Sequence, residues 1–453
     1  MLSFLNIIDS KNMPRPLKYF FRILCLCLPG VFLQPVHAQQ PYDYPFDQPG
    51  YRFIRYDTNQ FELVRENPAY QTLFAKFDEL IRNGDNQISI VHIGGSHIQA
   101  DVYTHRIRQE LQSFYPGILG SRGFFFPYSV AHTNSPSNLW IHYSGTWQTC
   151  KNTQSDPAYT LGLSGITSVL TSSSGSITLV ARYDTLRHYD FNRVRLFCNG
   201  PATGAIPLVN PGVEVTGTVV DKAGSYIQYN LGTYTDTLRI LIQQSDSTTP
   251  FQLYGISLEN DDPGVVYNSI GVNGAKLNSY LRCGLFVPQL QALNPDWVIL
   301  SIGTNEGNTR QFDALSYEKE YLQMIDSVRL AAPNAAILLT VPNDSYLYRR
   351  YTNHNTARMR ALIFAIASAR GCGVWDFYTV MGGLNSATVW YNNGLMNKDH
   401  IHFNRPGYLL KGDLFFNAFL RSWETHLTVP EQHITHLRIP ISYPYVNQEP
   451  AHD

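Results

Sequence analysis

The sequence predicts an α/β protein, a parallel sheet covered by helices and interrupted by a β-sandwich. Two observations predict it. Strand-length apolar runs alternate with helix-period segments over residues 67–114 and again from about 265 to 425, the texture of a parallel sheet with helical crossovers. Between about 136 and 264 this gives way to short alternating runs separated by Gly, Ser, Asn and Asp, with no long helix, which reads as an antiparallel sandwich. The length of 453 residues agrees, since it exceeds one ordinary core and predicts two folded units.

Residues 1–38 read as a secretory signal. Arg15, Lys18 and Arg22 flank an apolar run from Phe20 to Leu33, and Val36-His37-Ala38 forms a small-x-small cleavage site before Gln39. Pro29 and Gly30 inside the run argue against a spanning helix, so no membrane span is expected after cleavage; a short N-terminal anchor is the alternative. Met13 would make a more typical start than Met1. Cleavage removes four bases and one acid and takes the formal net charge from −1 to −4. Neither value offers the basic surface that nucleic acid requires.

Residues 39–60, rich in Tyr, Pro, Asp and Gln, read as an extended lead-in. A helix follows over 67–83, with Leu73, Phe77 and Leu80 on one face and Gly84 as its stop. Residues 87–93 form an apolar strand ending at Gly94-Gly95-Ser96, and 101–114 form a helix. Within the sandwich, 177–181, 193–197, 226–229 and 238–242 alternate as strands do. Beyond it, 297–302 and 336–341 are buried strands, 316–331 is a helix, 356–370 is a helix closed by Gly371, 374–377 is a short strand and 408–423 is the last helix. The expected units are the signal (1–38), the lead-in and first part of the α/β domain (39–135), the inserted sandwich (136–264), the second part of the α/β domain (265–425) and an extended tail (426–453).

Outside the signal the cysteines are Cys150, Cys198, Cys283 and Cys372, and no pair has metal-ligand spacing. No metal or other cofactor is expected. In an oxidising compartment Cys150 and Cys198, both in the sandwich, are the expected disulfide; buried free thiols are the alternative.

Parallel α/β folds bind ligands at the carboxyl ends of their strands. Ser96 stands at one such end, Asn305 at another, Gly274 in a Gly-rich loop, and Asp399 with His402 just before the last helix. A serine hydroxyl needs a base within hydrogen-bond reach, and the base needs an orienting partner. His402 can be the base, and Asp399, three residues earlier, can fix its tautomer. Backbone N–H groups of Ser96 and Gly274 and the side-chain amide of Asn305 can receive an oxyanion. Taken singly, each of these segments is an ordinary turn or loop; their joint occurrence in this order is the signal.

These blocks resemble those of the SGNH/GDSL hydrolase superfamily over roughly residues 85–135 and 265–425. The runs Ser96-His97-Ile98-Gln99-Ala100-Asp101, Gly303-Thr304-Asn305-Glu306 and Asp399-His400-Ile401-His402-Phe403, with Met381-Gly382-Gly383, Trp390 and Gly394-Leu395, are most similar to bacterial peptidoglycan O-acetylesterases. Those enzymes also carry a carbohydrate-module-like β-domain between the first two blocks, and here Ser96 and Gly274 are 178 residues apart. The resemblance implies a flavodoxin-like three-layer hydrolase domain with an inserted β-sandwich. It implies Ser96, His402 and Asp399 as the triad, Ser96, Gly274 and Asn305 as oxyanion donors, and Trp390 and His97 at the substrate. The implied partner is an O-acetylated glycan outside the inner membrane, in the periplasm or at the envelope. The chain departs from the pattern at Gly95, where the family has a supporting Asp, and at Glu306, where Asp is more general.

Other readings use the same residues. The triad would serve acetyl transfer to a sugar, or esters of xylan and other carbohydrates, and a glycan-binding envelope protein would use the domain as a scaffold. His400-x-His402 has the spacing of a metal pair but no convincing third ligand. Trp140, Tyr143 and Trp147 have the chemistry to stack on sugars, yet core packing is the better expectation. Nothing in the sequence fixes the oligomeric state.

Overall fold

Five apolar strands make a parallel sheet in the computed structural model, which describes residues 50–63, 67–204, 206–244 and 249–426. A two-residue strand β1 (Phe61–Glu62) pairs antiparallel at one edge; the others are β2 (Gln87–Gly94), β3 (Gly264–Gly271), β4 (Trp297–Ser301), β5 (Ala336–Thr340) and β6 (Gly373–Trp375). Their order is β1-β6-β5-β4-β2-β3. Without β1 this is the 2-1-3-4-5 order of flavodoxin-like sheets, with the chain reversing direction of growth at β2.

The strands are apolar on both faces because both are covered. Ile88, Ile90, Trp297, Ile299 and Leu338 pack under helices α1 (Pro68–Asn83), α2 (Tyr103–Leu111) and the last helix, Arg405–His426. Val91, Ile93, Val298, Leu300 and Leu339 face α3 (Phe286–Leu293), α4 (Ala314–Ala331) and α5 (Asn355–Arg370). Successive residues thus point to opposite layers, the period of two that a strand imposes. The helix ends follow capping chemistry. Asn67 accepts from the Ala69 N–H at 3.0 Å ahead of Pro68, Asp313 caps α4, and Gly84 and Gly371 end α1 and α5.

Between β2 and β3 the chain forms two antiparallel sheets. One runs Val215–Asp221, Tyr226–Thr235, Phe191–Cys198, Gln252–Glu259, Ile166–Leu170, Trp147–Lys151, and Gly123–Phe125 also pairs with Gln252–Glu259. The other runs Leu139–Ser144, Ser174–Ala181, Thr237–Gln243, Leu208–Val209. Antiparallel pairing therefore begins at Gly123, ahead of the texture change in the sequence. The sheets do not close a core of their own. Leu163, Ile166, Leu179 and Phe197 belong to the same apolar cluster as Val91, Ile93, Val298 and Leu339. One apolar cluster therefore runs from the antiparallel sheets to one face of the parallel sheet.

A buried ionic latch reinforces the junction. Asp101, at φ 45°, accepts Arg108 Nη2 at 3.0 Å, Arg122 Nη2 at 3.1 Å, Asn138 Nδ2 at 2.8 Å and Thr104 Oγ1 at 2.6 Å. Burial pulls the Asp101 carboxyl upward, but Arg108 and Arg122 outweigh it and hold it far below the ordinary carboxylate range. Arg122 and Asn138 lead into the two antiparallel sheets, so this carboxylate ties both to the segment just after Ser96.

The Cys150–Cys198 disulfide is corrected. Among the described residues Cys150, Cys198, Cys283 and Cys372 are all buried free thiols. The strands carrying Cys150 and Cys198 are separated by two others in one sheet, about 14 Å at ordinary strand spacing, beyond disulfide reach. The signal at 1–38 and the tail beyond 426 lie outside the described residues. Among the described residues no helix is long and apolar enough to cross a membrane.

Candidate active site

The site is assembled where β2, β3 and β4 end. β2 runs directly into a helical turn, Ser96–Gln99. Beneath it His92 fixes neighbouring strands, with Nδ1 2.7 Å from Tyr267 Oη and Nε2 2.6 Å from Ser301 Oγ. Burial pushes the His92 pKa well down, so this network is uncharged.

Ser96 Oγ lies 2.8 Å from His402 Nε2, and His402 Nδ1 lies 2.7 Å from Asp399 Oδ2. Asp399 Oδ1 accepts the backbone N–H groups of Ile401 and His402, each at 3.0 Å. Burial raises the Asp399 pKa, but the His402 ring and these two N–H groups outweigh it and hold the carboxyl below its ordinary value. A charged Asp399 accepts a hydrogen bond from the Nδ1–H, which leaves the Nε2 lone pair facing the serine hydroxyl. The His402 and Asp399 side chains are 31% and 20% exposed, so the line is open at its surface.

Gly274 sits at φ 81°, in the region that favours glycine, and a Cβ there would meet only Thr153 Cγ2 at 3.8 Å. Asn305, in the turn Thr304–Gly307 after β4, donates Nδ2 to the Ala275 carbonyl at 2.9 Å, so its amide is tied to the Gly274 loop. Gly95 now has a physical account. A Cβ at position 95 would stand 3.3 Å from Asn305 Nδ2, closer than the amide tolerates without shifting.

Two residues that the sequence reading gave no role brace the same loop. Gln99 Oε1 accepts the Asn273 N–H at 2.7 Å, while its Nε2 donates to Thr133 Oγ1 and the Asn134 carbonyl at 3.1 and 3.0 Å. Glu306 Oε1 accepts the Leu277 N–H at 2.7 Å. Burial raises the Glu306 pKa to about 7 against the opposing Leu277 N–H. The only sequence signal for either was its place inside a motif block.

Both substrate-side expectations are corrected. Trp390 is fully buried, donating Nε1 to the Met381 carbonyl and packing edge-on against Phe377 and Phe403. It is a core residue. His97 is also buried, with its ring centroid 5.1 Å from that of His402 and Nδ1 2.9 Å from Tyr408 Oη. Burial, then Lys411 and His402, push its pKa well down, so a neutral His97 backs His402. Trp147 is core, Tyr143 packs against the core, and Trp140 is half exposed. The His400 ring stacks on Tyr346 at 4.4 Å, and no group of three or more metal-ligating side chains occurs among the described residues.

Residues 243–410 match the GDSL-like lipase/acylhydrolase family, a span that includes Gly274, Asn305, Asp399 and His402 and begins beyond Ser96. Among solved structures, one described as a peptidoglycan O-acetylesterase is similar at 22% identity and TM-score 0.64, over 82% of this chain and 98% of that one. A lipase/acylhydrolase from Enterococcus faecalis is 19% identical with TM-score 0.28, over 34% and 74%. An acetylxylan esterase from Geobacillus stearothermophilus is 15% identical with TM-score 0.29, over 36% and 75%. The first likeness is one of fold, and it covers more of this chain than residues outside 136–264 supply, so it takes in antiparallel strands as well. No curated protein sequence matches.

Proposed function

We infer that this chain is an ester hydrolase of the SGNH type, a reading supported by the match of residues 243–410 to the GDSL-like lipase/acylhydrolase family. It is a secreted serine esterase that removes O-acetyl groups from a polysaccharide, with peptidoglycan the leading candidate. The observation that carries this reading is the unbroken line Ser96 Oγ, His402, Asp399, with spacings of 2.8 and 2.7 Å. The inserted unit at 136–264 is a β-sandwich that presents the glycan to the site, and residues 1–38 direct export.

In this mechanism Ser96 Oγ attacks the acetyl carbonyl while His402 Nε2 takes its proton. The oxyanion rests on the Ser96 and Gly274 N–H groups and on the Asn305 amide hydrogen not given to Ala275. His402 then protonates the departing sugar oxygen as the C–O bond breaks. Water, deprotonated by the same nitrogen, attacks the acetyl-enzyme and releases acetate. Ser96→Ala protein folds but neither cleaves p-nitrophenyl acetate nor reacts with a fluorophosphonate probe. Activity retained in that variant overturns the assignment. Acetate release from O-acetylated peptidoglycan, xylan and simple esters then ranks the substrates.

A further inference from the structure

One feature of the rim takes no part in this mechanism. After β5 the chain forms a small hairpin, pairing Tyr346–Leu347 with Tyr351–Thr352 around a loop of Tyr348, Arg349 and Arg350. Two consecutive loop residues adopt left-handed backbone, Tyr348 at φ 53° and Arg349 at φ 62°. Neither is Gly or Asn, the residues such a turn favours, so the loop keeps its side chains at a conformational cost.

The hairpin is joined to both halves of the site. The Tyr346 N–H donates to the His400 carbonyl at 2.9 Å, two residues from His402. The Tyr348 N–H donates to Asn308 Oδ1 at 2.8 Å, three residues from Asn305. It therefore stands beside the reacting centre at the carboxyl end of the sheet, where ligands of this architecture bind. Its outward face is aromatic and cationic. Tyr348 is 50% exposed, Tyr351 46% and nearby Tyr391 41%. Arg349 and Arg350 are exposed, and the Arg350 guanidinium lies 5.5 Å from the Tyr351 ring centre. Among the described residues neither arginine forms an ion pair or a side-chain hydrogen bond.

We propose that this hairpin is a substrate-selecting rim for glycans that carry carboxylates, with a sugar face resting on the exposed tyrosines and the carboxylate meeting Arg349 and Arg350. Aromatic faces suit the apolar faces of sugar rings, and planar guanidinium forks match carboxylates. An unpaired cationic pair concentrates anionic substrate locally. The proposal rests on the esterase reading and narrows its substrate class to acidic polysaccharides.

The test compares O-acetylated peptidoglycan strands, which bear carboxylates, with neutral O-acetylated xylan oligosaccharides. In the Arg349→Ala/Arg350→Ala variant the ratio of kcat/KM on the acidic over the neutral substrate falls roughly tenfold, through KM, and the difference shrinks in high salt. Arg349→Lys/Arg350→Lys keeps the charge and restores most of the ratio, which separates charge from folding. Equal losses on both substrates, an unchanged ratio, or a wild type that prefers the neutral polymer overturns the proposal. Wild-type protein inert toward p-nitrophenyl acetate and fluorophosphonate signals failure of the esterase reading instead. The rim is then judged by cosedimentation with peptidoglycan strands, where equal retention of wild type and alanine variant overturns it.

Discussion

The two sides of the candidate site are held in different ways. The base side is organised mostly from within: Asp399 and His402 lie within one short loop, Asp399 accepts two of that loop's own N–H groups, and the hairpin after β5 adds one bond to the His400 carbonyl. The nucleophile side is held from far along the chain. Gln99 reaches Asn273 and the 133–134 segment, Glu306 reaches Leu277, and Asp101 gathers Arg108, Arg122 and Asn138. A loop organised mostly from within can keep its geometry when distant structure changes. A braced turn inherits the state of everything that braces it.

Asp399→Asn should give the largest effect, a fall in kcat of about 10⁴-fold with the fold intact, because the amide no longer favours the productive tautomer. Steady-state kinetics beside thermal unfolding would check it, and a loss of folding would show that the loop is not organised mostly from within.

Asp101→Ala comes next. It leaves two buried guanidinium groups without their carboxylate and should cost about 3–5 kcal/mol in urea unfolding. Wild-type stability in this variant would remove the latch from the account. Gln99→Ala should lower kcat about tenfold with little change in KM, since it loosens a donor loop rather than a binding contact. A change confined to KM would place Gln99 at the substrate instead.

The smallest effect belongs to Glu306→Gln, whose amide oxygen can still accept from Leu277. Burial raises Glu306 to about 7, above the free-chain value of about 4.3. Its contribution to stability is therefore whole below about pH 4.3 and lost as pH rises through about 7. Glutamine does not ionise, so the Tm of the variant should gain on wild type between pH 5 and pH 8. A Tm difference independent of pH would show that Glu306 is not the titrating group.

Much of the fold was legible because its signals are local. The helix at Pro68–Asn83 carries its own cap and stop, β4 and β5 are nearly continuous apolar runs, and β2 sets Ile88, Ile90, Val91 and Ile93 close together. The strand β3 was not legible. Asn268 and Ser269 break its apolar pattern, and their burial is satisfied only by distant partners: Asn268 bonds the Ile90 carbonyl and the Phe124 N–H, and Ser269 takes Arg108. The motif blocks could be read one at a time, whereas Gln99 meets Asn273 across 174 residues and no spacing rule anticipates that. Trp390 misled for a related reason. Its place shortly before Asp399 is a fact of sequence, while its burial against Phe377 and Phe403 is a fact of packing.

The core shared by the parallel and antiparallel sheets bears on how such a chain can change over time. An appended module with its own interior can be lost or exchanged at its linkers. Here, deleting the antiparallel sheets would remove apolar side chains that share a cluster with Val91 and Ile93 and, with Asn138 gone, leave the carboxylate of Asp101 among fewer partners. A descendant without the sheets would have to evolve a replacement cover at the same step, so drift in substrate preference is easier through residues on their surface than through their removal.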